Sequence, residues 1–382
     1  MNEVKSMKEN GITLIALVIT IIILIILATV TITLVFGEGG LIQRAQEGKT
    51  LTEQAGKDEQ DELKGAEEYI NGVLAGAGTT NPPDGKSEVE EAKESGTKFD
   101  ETTKLTDDLD NSVTVPGGFN IAEDGGTKVE EGIVIEDDNG NQFVWIPVGE
   151  YNVSTTISPT GKLTNELSRR TFTSTGSIPV NGDSVIGTYF YGEGDSRSIA
   201  KDPIDAFKTS ITNNKGFYIG KYEQGEGNVC KAGVEVYVEI TRDEAKQQAE
   251  AMYSGNEYVT SELISSYAWD TALNFICQTN EEGYLLATTT DTSYGNIGTN
   301  NRMKTGEYEI DNYSNIYDLL GNCMEWTAEY STNTKDGITY PCVSRGGNYN
   351  GNSAYAAIRY DNTMIISSHY SSFRLQLYIN ET

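Results

Sequence analysis

Residues 12–36 form an unbroken run of 25 residues, nearly all Ile, Leu, Val, Ala and Thr, without a charge, a glycine or a proline. A helix rising about 1.5 Å per residue crosses a hydrocarbon core of about 30 Å with such a run. A secretory signal would have a shorter apolar region of about 7–15 residues. Lys5 and Lys8 precede the run and acidic sequence follows it, which places the N-terminus in the cytoplasm. We therefore predict a single-pass cell-membrane protein with an extracellular C-terminal domain.

The short lysine-containing leader at residues 1–11 ends in Gly11-Ile12-Thr13-Leu14-Ile15. This sequence resembles the processing site of type IV prepilins, in which a membrane peptidase cuts after the glycine and methylates the new N-terminus. The resemblance implies processing between Gly11 and Ile12, with prepilin peptidase and a pilin-like assembly as partners. The chain departs from the family at Ala16, where a glutamate aligns assembling subunits. The resemblance therefore favours a pilin-like display helix over a major pilin.

The chain between the apolar run and the globular domain divides into two parts. Residues 37–74 are rich in Glu, Gln, Ala, Leu and Lys, with only a thin apolar stripe, which predicts a helical stalk. Residues 75–111 carry glycine, proline and repeated acidic residues without periodicity, which predicts a flexible acidic linker. The globular domain is then expected at residues 112–382.

Short β-rich runs between turn signals are typical of the globular part. Residues 132–135 and 142–148 are predicted as a hairpin closed by Asp138-Asn139-Gly140-Asn141, and residues 216–222 as a further strand. Residues 241–252 open with a Thr-x-x-Glu capping box, and residues 265–277 place Trp269 on an apolar face, so both are predicted as helices. These patterns predict an α+β domain in which loops take up much of the chain.

The charge and the cysteines restrict the possible functions. A formal net charge of −29 excludes a nucleic-acid partner, because phosphate binding requires clustered Lys and Arg. Cys230, Cys277, Cys323 and Cys342 show neither CxxC nor zinc-ligand spacing. They can form up to two disulfides in an extracellular setting or remain as buried free thiols, and the sequence does not distinguish these alternatives.

Several motifs in order carry a further resemblance. The segment 315–327 reads NIYDLLGNCMEWT and is similar to the N-V-x-D-M-x-G-N-V-W-E-W signature of the formylglycine-generating enzyme (sulfatase-modifying factor) family. Arg345-Gly346-Gly347 resembles its R-G-G motif, residues 373–375 its closing F-R-L, and residues 144–149 and 217–223 its upstream strands. The resemblance implies the irregular C-type-lectin-like variant fold of that family, with a small antiparallel sheet, two helices and long loops. Together with the N-terminal prediction, the expected protein is this α+β domain preceded by a long transmembrane and stalk helix.

The family resemblance also implies a calcium site in the signature segment. Asp318 and Glu325 would supply carboxylate oxygens, and Gly321 and Cys323 backbone carbonyls. Hard oxygen ligands from one compact turn suit Ca²⁺. The alternative is that Glu325 and Trp326 only brace the fold.

Catalysis is not expected. In the catalytic members of the family a pair of cysteines binds copper after the R-G-G motif, and those positions are Gly351 and Ala356 here, neither of which can ligate a soft metal. The single histidine, His369, lies in a Tyr- and Ser-rich stretch where a contact role is favoured over a general base. No nucleotide-binding or HExxH motif is present in the sequence. We expect neither an oxidase activity nor copper.

The segment 348–372 reads NYNGNSAYAAIRYDNTMIISSHYSS, and Lys, Glu, Gln, Phe and Trp are absent from it. Tyrosine with Ser, Asn and Gly is the composition of antibody paratopes. The stretch also looks like the variable region of diversity-generating retroelement targets, in which randomised adenines turn AAC codons into NNC codons; Met364 alone departs from that alphabet. Side chains expected to contact a ligand are Asn348, Tyr349, Asn350, Asn352, Tyr355, Tyr360, Asn362, His369 and Tyr370.

The sequence thus predicts a cell-surface, receptor- or adhesin-like protein on a pilin-like anchor, binding an extracellular protein or glycan through a diversified C-terminal surface. Two alternatives remain. One is a formylglycine-generating-type or related oxidase, and the other is a minor pilin subunit.

Overall fold

The computed structural model describes residues 85–180, 186–188, 196–199, 204–335, 337–351 and 355–381. The α-helices in this part are α1 Glu88–Ser95, α2 Asp205–Asn214, α3 Arg242–Met252, α4 Ser266–Thr279 and α5 Gly283–Thr288. The first ten strands are β1 Thr103–Thr106, β2 Ser112–Val115, β3 Phe119–Ile121, β4 Val134–Asp137, β5 Gln142–Pro147, β6 Gly149–Asn152, β7 Lys162–Asn165, β8 Arg169–Thr173, β9 Gly176–Val180 and β10 Ile186–Thr188. The others are β11 Ser196–Ile199, β12 Gly216–Gly220, β13 Val259–Leu263, β14 Met324–Ser331, β15 Thr334–Lys335, β16 Ile338–Thr339, β17 Cys342–Arg345, β18 Tyr360–Asn362, β19 Ser371–Phe373 and β20 Leu375–Ile379.

The first six-stranded sheet is antiparallel and has the order β13-β20-β12-β5-β4-β3. The predicted hairpin is confirmed, since β4 pairs with β5 through Ile135–Phe143 and Glu136–Gln142. The turn between them contains Gly140 at a φ of 76°, a left-handed conformation that glycine adopts readily. The predicted strand at residues 216–222 is confirmed as β12, which lies between β5 and β20.

The second six-stranded sheet has the order β10-β11-β14-β17-β18, and β19 pairs with β14 outside this path. The β14–β19 pair is parallel and aligns Met324 with Ser371 and Trp326 with Phe373. Strand β14 therefore lies between β17, which ends at Arg345, and β19. The remaining strands form the hairpins β1–β2, β6–β7, β8–β9 and β15–β16.

Both predicted helices are confirmed. Helix α3 begins after Thr241, whose side chain accepts from the Glu244 backbone N–H while Glu244 binds the Thr241 N–H, a complete capping box. Helix α4 begins after Ser265, whose hydroxyl accepts from the Ala268 N–H, and most of its length is buried. Its residue Trp269 is completely buried. Helix α4 is thus a core helix and not a surface one.

The fold begins inside the segment predicted as a flexible linker at residues 75–111. Helix α1 has its own capping box between Ser87 and Glu90, and its residues Val89 and Ala92 are buried in the main core. Leu105 of β1 and Val113 of β2 join the same core. The part of the predicted linker from residue 85 onward is therefore integrated in the domain, because it does bury apolar surface; the earlier part lies outside the described residues.

The predicted fold class was wrong in its architecture. Two six-stranded sheets with additional hairpins, rather than one small sheet with two helices, form a mixed α+β structure dominated by strands. Among the described residues, no helix is long and apolar enough to span a membrane. The predicted leader, transmembrane segment and stalk at residues 1–11, 12–36 and 37–74 lie outside the described residues.

A buried ionic cluster joins the core to the C-terminal stretch. Arg345 donates to Asp270 at 2.7 Å and to Glu329 at 3.4 Å, and its guanidinium lies 5.2 Å from the ring centre of Trp269. Arg359 binds Glu329 through Nε at 2.8 Å and also pairs with Asp270. All of these charged side chains are buried, so each depends on its partners to offset the cost of leaving water.

The four cysteines are buried free thiols in the structure, which resolves the alternatives left open by the sequence. Burial raises the pKa of Cys230 to about 11. A thiol protonated at neutral pH is a weak nucleophile and a poor metal ligand. The cysteines therefore act as small apolar core residues.

Candidate functional site

The signature segment at residues 315–327 forms the turn that leads into β14, and Glu223 holds this turn in place. One carboxylate oxygen of Glu223 accepts from the Cys323 backbone N–H and the other from the Asn322 side-chain amide, both at 2.7 Å. Glu223 is the last residue of the FYIGKYE strand motif and is completely buried. Two of the family-like motifs are therefore joined by direct hydrogen bonds.

Two glycines allow the close backbone approach on which this turn depends. The Gly321 N–H donates to the Gly346 carbonyl at 2.8 Å, and both residues have positive φ, 102° and 85°. A Cβ on Gly321 would lie 2.3 Å from the Asn296 carbonyl oxygen, and one on Gly346 2.8 Å from that of Leu319. A side chain at either position would push these segments apart.

Glu325 and Arg374 form a completely buried ion pair. Arg374 donates to Glu325 through Nη2 at 2.6 Å and through Nε at 2.9 Å. Its remaining donors bind the carbonyls of Gly220 and Tyr317, both at 2.7 Å. The guanidinium thus joins β12, the signature segment and β20 at one point.

Further carboxylates surround this ion pair. Burial raises the pKa of Asp318 to about 7, and burial together with neighbouring carboxylates raises the pKa values of Glu223 and Asp311 well above their usual range. Asp318 Oδ1 and Asp311 Oδ2 are buried without a hydrogen-bond partner. The group accordingly prefers to hold protons, or another cation, at neutral pH.

The expected calcium ligands fit this group only in part. The unpartnered Asp318 Oδ1 suits a cation, whereas both oxygens of Glu325 are committed to Arg374. In the part of the chain that the structure describes, no three His, Cys, Asp or Glu side chains are arranged to hold a metal ion. Calcium binding by Asp318, Gly321, Cys323 and Glu325 stays a prediction.

Four of the predicted contact residues come together on the surface, and we call this group the C-terminal surface: Tyr349, Asn350, His369 and Tyr370. The rings of Tyr349 and Tyr370 lie 5.3 Å apart, and those of His369 and Tyr370 5.6 Å apart. Asn350 donates from its amide to the Tyr370 hydroxyl at 3.2 Å. Three rings in tilted and edge-to-face contact, with one amide, offer contact area and hydrogen-bonding atoms at a low cost in side-chain entropy.

The signature segment positions this surface through its backbone. Tyr349 donates from its N–H to the Asn322 carbonyl at 2.9 Å, and the Tyr370 carbonyl accepts from the Met324 N–H at 2.7 Å. The two tyrosines are thus attached to the turn that Glu223 holds from the core side. The backbone of the C-terminal surface is therefore fixed to the signature segment, and its side chains at Asn350 and His369 are exposed.

The other predicted contact residues lie elsewhere. Asn348 and Asn362 are only 8% and 7% exposed, and both side chains bind neighbouring groups, Asn348 the Asn350 N–H and Asn362 the Ser344 hydroxyl. Tyr355 is half-buried against the core, and Tyr360 is half-buried on β18. Asn352 lies outside the described residues. Asn348 and Asn362 therefore support the surface from beneath and are not part of it.

Sequence reasoning missed Glu239, which belongs to a different segment. Its carboxylate lies 2.7 Å from His369 Nδ1, and both side chains are exposed, at 64% and 62%. Its N–H donates to the Ser368 carbonyl at 3.0 Å, and its φ is 58°, a left-handed conformation uncommon for glutamate. No local signal marks Glu239 in the sequence, since its partner is 130 residues away.

Gly351 is partly exposed just after Asn350, and Ala356 is buried, where its carbonyl accepts from the Trp269 Nε1–H at 3.1 Å. Gly11 and Ile12 lie outside the described residues, so the processing site stays a prediction.

No protein-family model matches the chain, and no curated protein matches it in sequence. Among solved structures the chain is similar to PvdO from Pseudomonas aeruginosa, with 12% identity and a TM-score of 0.37, over 64% of this chain and 97% of PvdO. It is also similar to CarF, with 13% identity and a TM-score of 0.34, over 44% of this chain and 87% of CarF. A third is Treponema denticola variable protein 1, with 11% identity and a TM-score of 0.33, over 62% of this chain and 95% of that protein. TM-scores below 0.5 leave the function to be argued from the residues of this chain.

Proposed function

We propose that this protein is a receptor- or adhesin-like binding protein of the cell surface, and that its ligand is an extracellular protein or glycan held on the C-terminal surface. The observation that carries the proposal is the ladder of rings formed by the half-buried Tyr349 and Tyr370 and the exposed His369, which is attached to the signature turn by backbone hydrogen bonds. Rigid aromatic side chains on a fixed base are what a binding surface needs, because little entropy is lost when a ligand is bound.

The arrangement of burial supports binding over catalysis. Within the described residues, the strongly raised carboxyl pKa values belong to completely buried groups at residues 223, 311 and 318, away from solvent and from any substrate. His369, the one histidine of the chain, is exposed and paired with an exposed glutamate. Catalytic acids and bases are normally found in a cleft with a partner that orients them.

We also propose that the C-terminal surface is diversified. The described part of residues 348–372 contains both exposed and buried positions: Asn350 and His369 are exposed, whereas Arg359 is buried in the ionic cluster. Changes at the exposed positions would alter recognition without disturbing the core. This division is what a diversified binding surface requires.

The proposal is tested by measuring the binding of the full chain to arrays of glycans and of extracellular proteins. The variants are Tyr349→Ala with Tyr370→Ala, and the control is Tyr308→Ala, which removes a half-exposed tyrosine outside the C-terminal surface. We expect a bound array member to be lost by the double variant and retained by the control, with unchanged unfolding midpoints. Binding that survives the double variant would assign recognition to another face.

A further inference from the structure

The loop that connects β18 to β19 exposes two adjacent apolar side chains beside the C-terminal surface. Ile365 is 86% exposed and Met364 49% exposed, and they precede His369 in the same loop by four and five residues. They are the only two adjacent large apolar residues that are both exposed in the described part of the chain. An apolar tip in the same loop as part of the C-terminal surface marks an interaction site more strongly than a single scattered apolar residue does.

The tip is held in a defined conformation. Ile366 follows it and packs partly buried against the core, and its N–H donates to the Thr363 carbonyl at 3.4 Å. Further along the loop, the Ser368 carbonyl accepts from the backbone N–H groups of both Glu239 and Ser371. Since the residues on either side are fixed, the exposed tip is presented to solvent in advance of binding, which lowers the entropy cost of recognition.

The chemistry of the tip distinguishes between classes of ligand. An isoleucine side chain offers neither a hydrogen bond nor an aromatic face, so a glycan gains little from it. A protein with an apolar pocket can bury it completely and exclude water around it, as at the centre of protein interfaces. Methionine and tyrosine are both enriched in such interface centres.

Charge restricts the partner further. Glu239 remains mostly exposed at the rim beside His369, and the chain has a formal net charge of −29. A protein with basic residues around its apolar pocket would meet complementary charge at this rim. An anionic membrane surface would instead be repelled, which makes insertion of the tip into lipid the less favoured reading.

We propose that the ligand of the C-terminal surface is a protein, with an apolar pocket for Ile365 and Met364 and a basic rim facing Glu239. This inference rests on the proposed binding function and specifies its ligand class. In this arrangement Ile365 is the anchor, and the Tyr349–Tyr370–His369 ladder provides the adjoining contact area.

The test selects a random-peptide phage library on the immobilised full chain and measures the enriched peptides on variants. The variants are Ile365→Ser and Tyr370→Ala, and the matched control is Ile338→Ser, which removes an isoleucine that is 52% exposed on β16. We expect the enriched peptides to combine an apolar residue with Lys or Arg. They should bind the Ile365→Ser variant at least about tenfold more weakly than the unchanged chain, and bind the Ile338→Ser control with unchanged affinity.

The other outcomes separate the inference from the function on which it rests. A glycan-array signal lost in Tyr370→Ala but kept in Ile365→Ser would overturn the protein ligand and leave the binding function standing. Enriched peptides insensitive to Ile365→Ser, or no enrichment, would also overturn it. Sedimentation with phosphatidylcholine vesicles that requires Ile365 would reassign the tip to membrane. Peptides insensitive to both Tyr370→Ala and Ile365→Ser would remove the proposed surface as well.

Discussion

Glu325 accepts hydrogen bonds from Arg374 Nη2 at 2.6 Å and from Arg374 Nε at 2.9 Å, in a part of the core where neither side chain touches solvent. The two residues belong to motifs that the sequence shows 49 positions apart. Their pairing explains why the signature segment and the F-R-L motif occur together. The buried carboxylate of Glu325 on β14 needs a counter-charge. The guanidinium of Arg374, just before β20, provides it.

We expect Glu325→Gln to destabilise the domain by about 3–5 kcal/mol, because it leaves the Arg374 charge buried without its counter-charge. The free energy of unfolding from urea titration measures this. Glu150→Gln is the matched control, since Glu150 pairs with Lys162 on the surface, where such pairs contribute about 0–1 kcal/mol. Equal effects of the two substitutions would show that the buried pair contributes no more than the surface pair.

Stability should fall as the pH rises from about 4 to about 7. Burial raises the pKa of Asp318 from its ordinary 3.8 to about 7, so in this interval the folded state holds a proton that the unfolded state has released. The stabilisation is complete below the pKa that Asp318 has in the unfolded chain. It is lost as the pH rises past the pKa that Asp318 has in the folded state, and the loss in the free energy of unfolding is on the order of 4 kcal/mol. Unfolding midpoints in a chelating buffer measure it. Asp318→Asn should reduce the slope, while the raised pKa values of Glu223 and Asp311 keep their part of it, and an unchanged slope in that variant would contradict a contribution from Asp318.

Calcium should raise the melting temperature more at about pH 8 than at about pH 5, because protons and the ion compete for the same carboxylates. The unpartnered Oδ1 of Asp318 is the ligand on which this prediction depends. Differential scanning calorimetry with millimolar calcium, and with magnesium as the control, tests it. Identical melting temperatures with and without calcium at both pH values would leave Glu325 and Arg374 as a purely structural pair.

Sequence variation in a population should follow exposure within residues 348–372. We expect substitutions at the codons of Tyr349, Asn350, His369 and Tyr370, and constancy at Arg359, whose loss would leave Asp270 and Glu329 short of a counter-charge. Deep sequencing of the 3′ end of the gene measures this. A near-repeat and a reverse transcriptase in the adjacent DNA would establish the mechanism. Substitutions spread evenly over buried and exposed codons, or an invariant 3′ end, would remove the diversification proposal.

Local patterns predicted the elements with local causes. The capping box at Thr241 and the Asp-Asn-Gly-Asn turn each act within a few residues, and the structure confirms both. Ser87 and Glu90 show the same box spacing, yet the acidic composition around them predicts a linker. The difference lies in Val89, whose burial depends on the packing of helix α1 against β1 and β3, which composition does not report.

Long-range partners explain what the sequence did not predict. Arg169 and Glu329 pair across 160 residues, and Glu239 reaches His369 across 130. Composition marked residues 348–372 as a contact stretch, but it could not separate the exposed Asn350 from the buried Asn348 and Asn362, since asparagine serves both roles. Which asparagine faces solvent is decided by the tertiary fold, which composition does not report.

Strand β20 lies inside the first sheet, between β13 and β12, although it follows residues 348–372 in the chain. The domain therefore cannot complete its core until the ribosome has translated through that stretch in the correct reading frame. A frameshift or stop codon introduced there would remove β20 and expose the apolar faces of its two neighbours. Such a chain would become a substrate for proteases, so folding itself would act as a check that the stretch has been translated in frame.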